Sequence, residues 1–298
     1  MYGGRLMNKD GRPNIHKTGI GFFERLSWYH TMIEMSRWKF LGAIFLFFLT
    51  VNLVFAIIYF AVGVEHLGGM EANTLSEKFI EAYFFSAQTF TTVGYGRINP
   101  IGYLTSFIAA FEAFSGLLFF AIATGLFYAR FSRPQAFLKF SQQALIAPYK
   151  EGIAFMCRLA PYKNNYLTDA EVKLTLAMVV EENGKLVNRF YPMELEIAKI
   201  NALSLSWTLV HAITEESPMI NLDAEDLKNY KAEILVFVKA FDDTFSNTVV
   251  ARTSYSFTEV VFGARFKPMY NRSGDGLSTV MELDGLNAHD KVELPVKQ

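Results

Sequence analysis

The sequence predicts an α-helical membrane region followed by an all-β domain, and three observations carry this prediction. Two long apolar runs, residues 40–64 and 101–129, have the length of membrane spans. A shorter apolar segment, residues 75–90, lies between them. Beyond residue 140, apolar residues recur at every second position in several segments, which is the period of half-buried strands.

The composition excludes several functional classes. Of the 298 residues, 51% are hydrophobic and 19% are charged, whereas about 25% are charged in ordinary soluble domains. The formal net charge is −1, so no global basic charge attracts nucleic acid and we expect no such partner. The single cysteine, Cys157, excludes an intrachain disulfide framework, and the scattered histidines form neither a metal-ligand spacing nor a catalytic triad.

Both long runs are predicted to be transmembrane helices. The first contains no charged residue, and a helix of its length measures roughly 37 Å, enough to cross a hydrocarbon core of about 30 Å. The second carries one charge, Glu112, and an acid inside a span usually faces protein or water. Two buried helices of a soluble protein are the alternative interpretation.

Lysine and arginine residues near the spans predict the orientation. The loop between the spans holds only Lys78 and Arg97. Basic residues are frequent beyond the other ends of the spans, at Arg5, Lys9, Arg12, Lys17, Arg25, Arg37, Lys39, Arg130, Arg133 and Lys139. Because cytoplasmic segments carry the excess of Lys and Arg, we expect a multi-pass protein of the cell (inner) membrane with both termini in the cytoplasm.

The segment 75–90 is predicted to be a short re-entrant helix. Thr74 and Glu77 have the capping-box spacing at its start. A helix of this length measures roughly 24 Å, which is too short to cross the bilayer and return. Such a helix is tolerated at membrane depth only where protein or a water-filled cavity surrounds it.

The next segment, Thr91-Thr92-Val93-Gly94-Tyr95-Gly96, resembles the selectivity filter of potassium channels. An ion leaving water needs a replacement shell of oxygens, and backbone carbonyls supply it when they point to one axis. One chain offers one oxygen per level, so we expect a homotetramer that binds K⁺ and no cofactor. The K⁺ sites are expected at Thr92, Val93, Gly94 and Tyr95, with Gly96 ending the filter. An ordinary turn is the alternative for Gly-Tyr-Gly.

The region after residue 140 predicts a β-sandwich. Strand candidates at 171–181, 203–209, 233–241 and 247–255 are separated by breaks that contain Gly, Pro, Asn or Asp. No GxGxxG fingerprint is present, which argues against a doubly wound nucleotide-binding domain. A β-rich cyclic-nucleotide-binding domain stays open on composition alone.

Five further segments, taken together and in order, resemble inward-rectifier potassium channels, most closely the prokaryotic members. They are residues 84–86, 129–134, 140–141 with 144–147, 210–218 and 251–255. The resemblance implies a passive K⁺ channel rather than an enzyme, with a homotetrameric re-entrant pore and an immunoglobulin-like cytoplasmic sandwich. It implies three parts: an N-terminal part, a transmembrane pore domain with its filter at 91–96, and a cytoplasmic β domain. Their bounds are 1–39, 40–133 and 134–298.

The second span departs from the family pattern at the position where strongly rectifying members carry an acid. Phe120 stands there, so the resemblance implies weak or no strong rectification by intracellular Mg²⁺ and polyamines. Phe120 resembles a hydrophobic constriction, which gates by dewetting, and Tyr128 is a second candidate. Gly116 matches the family's hinge glycine, and Gly125 is a second flexible point.

Three residues are expected to support the filter. Glu112 matches a glutamate found behind the filter in prokaryotic relatives, and Thr91 directly precedes the expected K⁺ sites. Animal members brace the filter with a glutamate–arginine pair. Gln88 holds the place of that acid here, and Arg97 comes one residue early, so we expect this brace to be missing.

The cytoplasmic side suggests lipid contacts and an acidic vestibule. Residues 22–38 are amphipathic and resemble the family's interfacial slide helix. Membrane lipids with anionic headgroups are the expected partners of the flanking basic residues. The headgroup candidates are Arg37, Lys39, Arg130 and Arg133, and the acids that match the family's cytoplasmic vestibule are Asp169 and Asp243.

Three other functional hypotheses remain beside the lipid- and helix-gated channel. One is a two-span K⁺ channel gated by a ligand bound to the cytoplasmic β domain. Another is a ligand-receptor module whose β domain binds a nucleotide and whose membrane part is secondary. The third is a K⁺ channel subunit that conducts poorly alone.

Overall fold

A computed structural model describes residues 5–16, 18–19, 21, 27–274 and 277–295. The chain divides into two compact units, Gly19–Arg133 and a unit formed by Met1–Thr18 together with Pro134–Gln298. The first unit contains the long helices and the second contains the strands of the sandwich. The predicted start of the slide helix, residues 22–26, lies outside the described residues.

Five α-helices occur in the described chain. They are α1 (Trp28–Glu34), α2 (Arg37–Val62), α3 (Leu75–Phe90), α4 (Tyr103–Phe131) and α5 (Ala224–Asn229). The helices α2 and α4 are long and apolar enough to span a membrane. The first span starts and ends earlier than residues 40–64. Its last residue is Val62, because the next residue, Gly63, has a φ of 116°, a conformation that other residues rarely adopt.

A short two-stranded ladder joins the segment before α3 to the segment after the candidate filter. Strand β1 (Leu67–Gly68) pairs with β2 (Asn99–Pro100) in the antiparallel sense. Below the ladder, buried side chains of α2, α3 and the loop form one core, which contains Phe55, Tyr59, Leu67, Ala82, Phe85 and Ile98. Residues 91–96 lie between α3, which contributes Phe85 to this core, and Ile98 and β2, which belong to the core and the ladder. Both ends of the segment are therefore attached to the same packed unit.

The second unit is a two-sheet sandwich, which confirms the predicted all-β domain. One sheet has the order β11-β10-β6-β7 with β8 on β6, and the other has the order β12-β4-β5-β3 with β9 on β5. The strands of the first sheet are β6 (Leu167–Glu182), β7 (Lys185–Met193), β8 (Lys199–Ala202), β10 (Glu233–Asp242) and β11 (Asn247–Ser256). Those of the second are β3 (Leu138–Phe140), β4 (Ala144–Tyr149), β5 (Gly152–Pro161), β9 (Trp207–Ala212) and β12 (Val260–Phe262).

Two small ladders complete the unit, and one core joins the two sheets. The ladders pair β13 (Ala264–Phe266) with β16 (His289–Lys291) and β14 (Tyr270–Arg272) with β15 (Thr279–Met281). Three 3₁₀ turns occur in the described chain, at Val64–His66, Phe257–Glu259 and Leu283–Asn287. Apolar side chains from both sheets are buried together, including Ile146, Phe155, Leu174, Leu176, Val236 and Tyr255. Each such burial contributes about 1.5–3 kcal/mol.

The predicted strand at 203–209 is wrong in one respect. The structure has two strands there, β8 ending at Ala202 and β9 beginning at Trp207. Leu203 is buried, but Leu205 is 44% exposed, so the alternate leucines do not share one face. The chain bends between the two strands, and periodicity alone does not register such a bend.

The segment 5–16 packs on the β-rich unit, which the sequence did not predict. The backbone N–H groups of Leu6 and Met7 donate to the carboxylate of Glu233 at 2.6 and 3.1 Å. Arg5 pairs with Glu259 at 3.1 Å. Glu233 is 4% exposed, so these donors compensate a carboxylate that is almost removed from water.

Glu259 makes this packing sensitive to acid. Burial opposes its ionisation, but the Ser256 N–H and the cations of Arg5 and Lys9 outweigh burial and lower the pKa of Glu259. A carboxyl with a lowered folded-state pKa contributes stability above its unfolded pKa. That contribution is lost as the pH falls through the lowered pKa.

The substitution Glu233→Gln tests how this segment is held. Hydrogen bonds to a charged acceptor contribute about 1.5–3 kcal/mol, so we expect the amides of Leu6 and Met7 to lose roughly 10- to 100-fold of their hydrogen-exchange protection. Mass spectrometry of exchanged peptides measures this loss. Glu215→Gln, at an exposed acid of another loop, is the matched control, and equal protection in both variants would contradict the assignment.

Candidate functional site

The helix α3 is fixed at both of its ends by local hydrogen bonds. At the start, the Thr74 hydroxyl accepts from the Glu77 N–H at 3.3 Å, and the Glu77 carboxylate accepts from the Thr74 N–H at 3.1 Å. Backbone N–H groups of Thr74 and Asn73 lower the pKa of Glu77. At the end, the Thr91 hydroxyl donates to the Ala87 carbonyl at 2.7 Å. Thr91 is the residue that caps the end of α3, directly before the expected K⁺ sites.

The backbone of the candidate filter alternates in handedness. Thr92, Gly94 and Gly96 have φ values of 57°, 56° and 85°, and a positive φ is uncommon for a residue such as threonine. The Val93 N–H donates to the Gln88 carbonyl at 3.0 Å, which ties the inner end of the segment to α3. Gln88 acts here through its backbone.

A buried polar cluster joins α2, α3 and α4 behind this segment. Ser86 of α3 donates to the Glu112 carboxylate, and the Tyr59 hydroxyl donates to the other carboxylate oxygen at 2.6 Å. The Ser86 hydroxyl also lies 3.0 Å from Oδ1 of Asn52. All four side chains are 0% exposed. The cluster links α3 to both long helices through side chains that have no contact with water.

Sequence reasoning identified Glu112 but missed the other members of the polar cluster. A signal was available for two of them, because Asn52 and Tyr59 lie seven positions apart and therefore on one face of a helix. Ser86 gave no comparable signal, because serine is unremarkable in a short helix.

Gly116 lies where α4 touches the end of α3. A Cβ added to Gly116 would lie 1.9 Å from the carbonyl oxygen of Phe90, so the two backbones approach as only glycine permits. A Cβ on Gly125 would meet nothing within 4 Å. The helix α4 is continuous through both glycines. The structure thus gives Gly116 a packing contact, whereas Gly125 is unobstructed.

The two candidate constriction residues lie on a free face of α4. Phe120 is 50% exposed and Tyr128 is 74% exposed in the single chain. The residues of α4 that are buried are Thr105, Glu112 and Gly116. Glu112 contacts both α2 and α3, and Gly116 contacts α3. The exposed face of α4 is therefore available to other copies of the chain or to a pore.

The basic residues beside the spans differ in their surroundings. Arg130 donates to the carbonyls of Met32 and Ile33 at 3.1 and 3.2 Å and also to that of Met35, so its guanidinium caps the end of α1. Arg133 lies 3.9 Å from Glu34. The remaining two candidates, Arg37 and Lys39, are exposed. Arg130 was expected at lipid headgroups, but its hydrogen-bonding capacity is directed to a helix end.

The two candidate vestibule acids lie at one end of the first sheet. Asp169 lies where the register between β6 and β10 shifts, its φ is 47°, and it lies 3.3 Å from Lys199. Asp243 follows β10 and accepts from the Thr168 hydroxyl at 3.0 Å. Because Thr168 precedes Asp169 directly, the structure brings the two acids to the same sheet end.

His211 is held as a structural side chain. Its Nδ1 lies 2.6 Å from the Glu194 carbonyl, and its Nε2 lies 2.7 Å from the Ser217 hydroxyl. Burial lowers the pKa of His211, which favours the neutral ring. Among the described residues, no group of three or more His, Cys, Asp or Glu side chains could hold a metal ion.

Comparison with known proteins assigns both parts of the chain. The model of the inward rectifier potassium channel C-terminal domain matches residues 138–298, and an ion channel model matches residues 46–133. Inward rectifier potassium channel Kirbac3.1 of Paramagnetospirillum magnetotacticum is 33% identical over 277 residues, which cover 91% of each chain.

Animal proteins are more distant. Inward rectifier potassium channel irk-1 of Caenorhabditis elegans is 27% identical over 90% of this chain and 54% of its own length. G protein-activated inward rectifier potassium channel 4 of Mus musculus is 26% identical over 89% of this chain and 68% of its own length.

The substitution Ser86→Ala tests the polar cluster. It leaves one oxygen of the buried Glu112 carboxylate without its donor, which costs about 1–3 kcal/mol, so we expect a lower thermal unfolding temperature in detergent. Ser115→Ala is the matched control, because the Ser115 hydroxyl donates only to the Phe111 carbonyl of its own helix at 2.8 Å. A Ser86→Ala variant as stable as the Ser115→Ala variant would contradict the role of the cluster.

A pair of glycine substitutions tests the contact between α3 and α4. Alanine favours a helix over glycine by about 1 kcal/mol, so Gly125→Ala should be neutral or stabilising. Gly116→Ala meets the Phe90 carbonyl and should reduce both the yield of folded protein and its unfolding temperature. Size-exclusion chromatography and thermal unfolding compare the two variants; equal behaviour would show that the close approach is absent.

Proposed function

Because this chain belongs to the inward-rectifier potassium channel family, we propose that four copies of it form a K⁺-selective pore whose filter is Thr92–Gly96. The family consists of ion channels, so the chain is a membrane channel protein and not an enzyme. The positive-inside pattern supports a cell-membrane location with both termini in the cytoplasm.

The alternating backbone of the filter is the observation that carries this proposal. In an ordinary strand, successive carbonyls point to opposite sides, so a strand cannot offer a row of oxygens to one ion. Positive φ values at Thr92, Gly94 and Gly96 support a backbone whose successive carbonyls share one side, as K⁺ coordination requires. One chain then supplies one oxygen at each level, and four chains around an axis complete the shell.

The end of α3 adds electrostatic support. The C-terminal end of a helix carries a partial negative charge of roughly half an elementary charge, and α3 ends at Phe90, immediately before the filter. A cation approaching the inner end of the filter is therefore favoured. The contact between Gly116 and Phe90 supports this direction of the helix end, because it holds the end of α3 against α4.

The free face of α4 supports a hydrophobic gate. Phe120 and Tyr128 are exposed aromatic side chains on this face, and four copies around an axis would narrow the pore to apolar constrictions that dewet. A Cβ on Gly125 would meet nothing within 4 Å, whereas Gly116 is held against Phe90, so Gly125 is the better hinge of the two glycines. With Phe120 in place of an acid, Mg²⁺ and polyamines lack a carboxylate ring, so rectification by these blockers is weak.

The cytoplasmic face supports contacts with lipids and cations. Arg37 and Lys39 are exposed beside the first span and supply positive charge to anionic headgroups at about 1 kcal/mol each. Arg133 is half-exposed and adds to them. Asp169 and Asp243 lie at one sheet end and concentrate cations in the cytoplasmic vestibule. The ammonium of Lys199, 3.3 Å from Asp169, offsets part of the field of that carboxylate.

Rb⁺ flux into liposomes tests the proposed function and the pore face together. We expect the wild-type protein to take up Rb⁺ in competition with K⁺ but not with Na⁺, and Mg²⁺ on both sides to have little effect. Phe120→Asp should place four carboxylates in the pore and strengthen Mg²⁺ block at least about tenfold.

Phe120→Leu is the matched control, because it changes the side chain at the same position without adding charge. Absence of selective flux in the wild-type protein would refute the channel assignment. Selective flux with Mg²⁺ block unchanged in Phe120→Asp would refute only the placement of Phe120 in the pore.

A further inference from the structure

An ion pair joins the outer end of the filter to the start of α3. Nη2 of Arg97 lies 2.9 Å from Oε1 of Glu81, and Nη1 of Arg97 donates to the Gly69 carbonyl at 3.3 Å. The other carboxylate oxygen of Glu81 accepts from the Glu71 N–H at 3.2 Å. Three separate segments meet here: the loop before α3, the second turn of α3, and the residue that follows the filter.

The backbone from Arg97 onward is anchored to the loop before α3, and the Arg97 side chain adds a link from this anchor to α3. Gly69 has a φ of 77°, and a Cβ on it would lie 1.8 Å from the Arg97 carbonyl oxygen, so the two backbones are in contact. The next residue, Ile98, is buried in the core of the helical unit. The Ile101 N–H donates to the His66 carbonyl at 2.7 Å. The side chain of Arg97 therefore extends from an anchored stretch of chain to Glu81 of α3.

The outer half of the filter has little other support. In the described chain, Gly94, Tyr95 and Gly96 form no hydrogen bond, and the last bond on the inner side is that of the Val93 N–H. Arg97 is the first residue beyond this unbonded stretch. The position of the outer filter thus depends on the attachment at Val93 and on the attachment at Arg97.

We propose that Glu81 and Arg97 form a positioning pair that holds the outer end of the filter in its conducting geometry. This inference rests on the proposed function. The pair does not occupy the places of the glutamate–arginine brace that is missing at Gln88, because its acid lies nearly two turns earlier on α3. It acts from the outer rim instead of from behind the filter.

A second role for Arg97, as a free charge at the outer mouth, makes a different prediction. A free mouth charge would repel entering K⁺, so removing Arg97 would raise the flux and removing Glu81 would lower it. A positioning pair requires both partners, so both removals should act in the same direction. The Glu81 side chain is 18% exposed and that of Arg97 is 50% exposed, so the pair is partly open to solvent and its effect is modest.

The test uses the full-length protein in liposomes and reads the filter itself. We expect Glu81→Gln and Arg97→Gln each to lower the preference of Rb⁺ flux for K⁺ over Na⁺ and to weaken Ba²⁺ block by about three- to fivefold. The charge-swapped double variant, Glu81→Arg with Arg97→Glu, should recover part of both. Lys78→Gln on α3 and Glu65→Gln in the loop before α3 remove other charges between the two spans and should leave both readouts unchanged.

A conservative variant distinguishes loss of the ion pair from misfolding of the protein. Arg97→Lys keeps the charge but has one ammonium in place of a fork that reaches both Glu81 and Gly69, so its selectivity should be intermediate. Size-exclusion chromatography shows which variants assemble like the wild type.

The outcomes separate the two proposals. The positioning pair alone would be overturned if the wild-type protein gave selective flux but Glu81→Gln and Arg97→Gln left the K⁺ preference and the Ba²⁺ block unchanged. Opposite changes in the two variants would overturn it as well. Absence of selective flux in the wild-type protein would overturn the proposed function and this inference with it.

Discussion

The hydrogen bond between Ser86 of α3 and Glu112 of α4 holds α3 in place, and the arrangement of the membrane unit depends on the position of α3. The helix α3 has 16 residues, too few to cross a hydrocarbon core of about 30 Å and return. Apolar surface gives helices no net reason to associate in lipid, so polar contacts and close packing must set the depth of α3. The polar cluster and the Gly116 contact do this, and the end of α3 sets where the filter begins.

Both ends of the filter are held by hydrogen bonds, whereas its middle residues form none in the described chain. Its inner end is tied to Gln88 through the Val93 N–H, and its outer end continues into Arg97, which is bonded to Glu81. Between them the backbone makes no internal hydrogen bond in the described chain. On the proposed function this arrangement is required, because a carbonyl already bonded within the protein offers less to an ion. Rigidity is supplied from outside the segment, so that its oxygens remain available to K⁺.

Local chemistry made part of this architecture predictable. The capping box at 74–77 fixed the start of α3, and Glu112 was singled out because an acid in a membrane span is costly. Partners that are distant in sequence were not predictable: Ser86 lies 26 residues from Glu112, and Glu233 lies 227 residues from Leu6. Periodicity records which face of an element is apolar, but it does not record which faces meet or where a strand bends.

On the proposed function, K⁺ occupies the axis formed by the carbonyls of residues 92–95. A crystal structure of the assembled protein grown with Tl⁺ in place of K⁺ tests this occupancy, because Tl⁺ scatters anomalously and resembles K⁺ in size. We expect a row of anomalous peaks on a fourfold axis, each between successive levels of these carbonyls. Tetramers without such peaks, or peaks only at side-chain carboxylates, would contradict it.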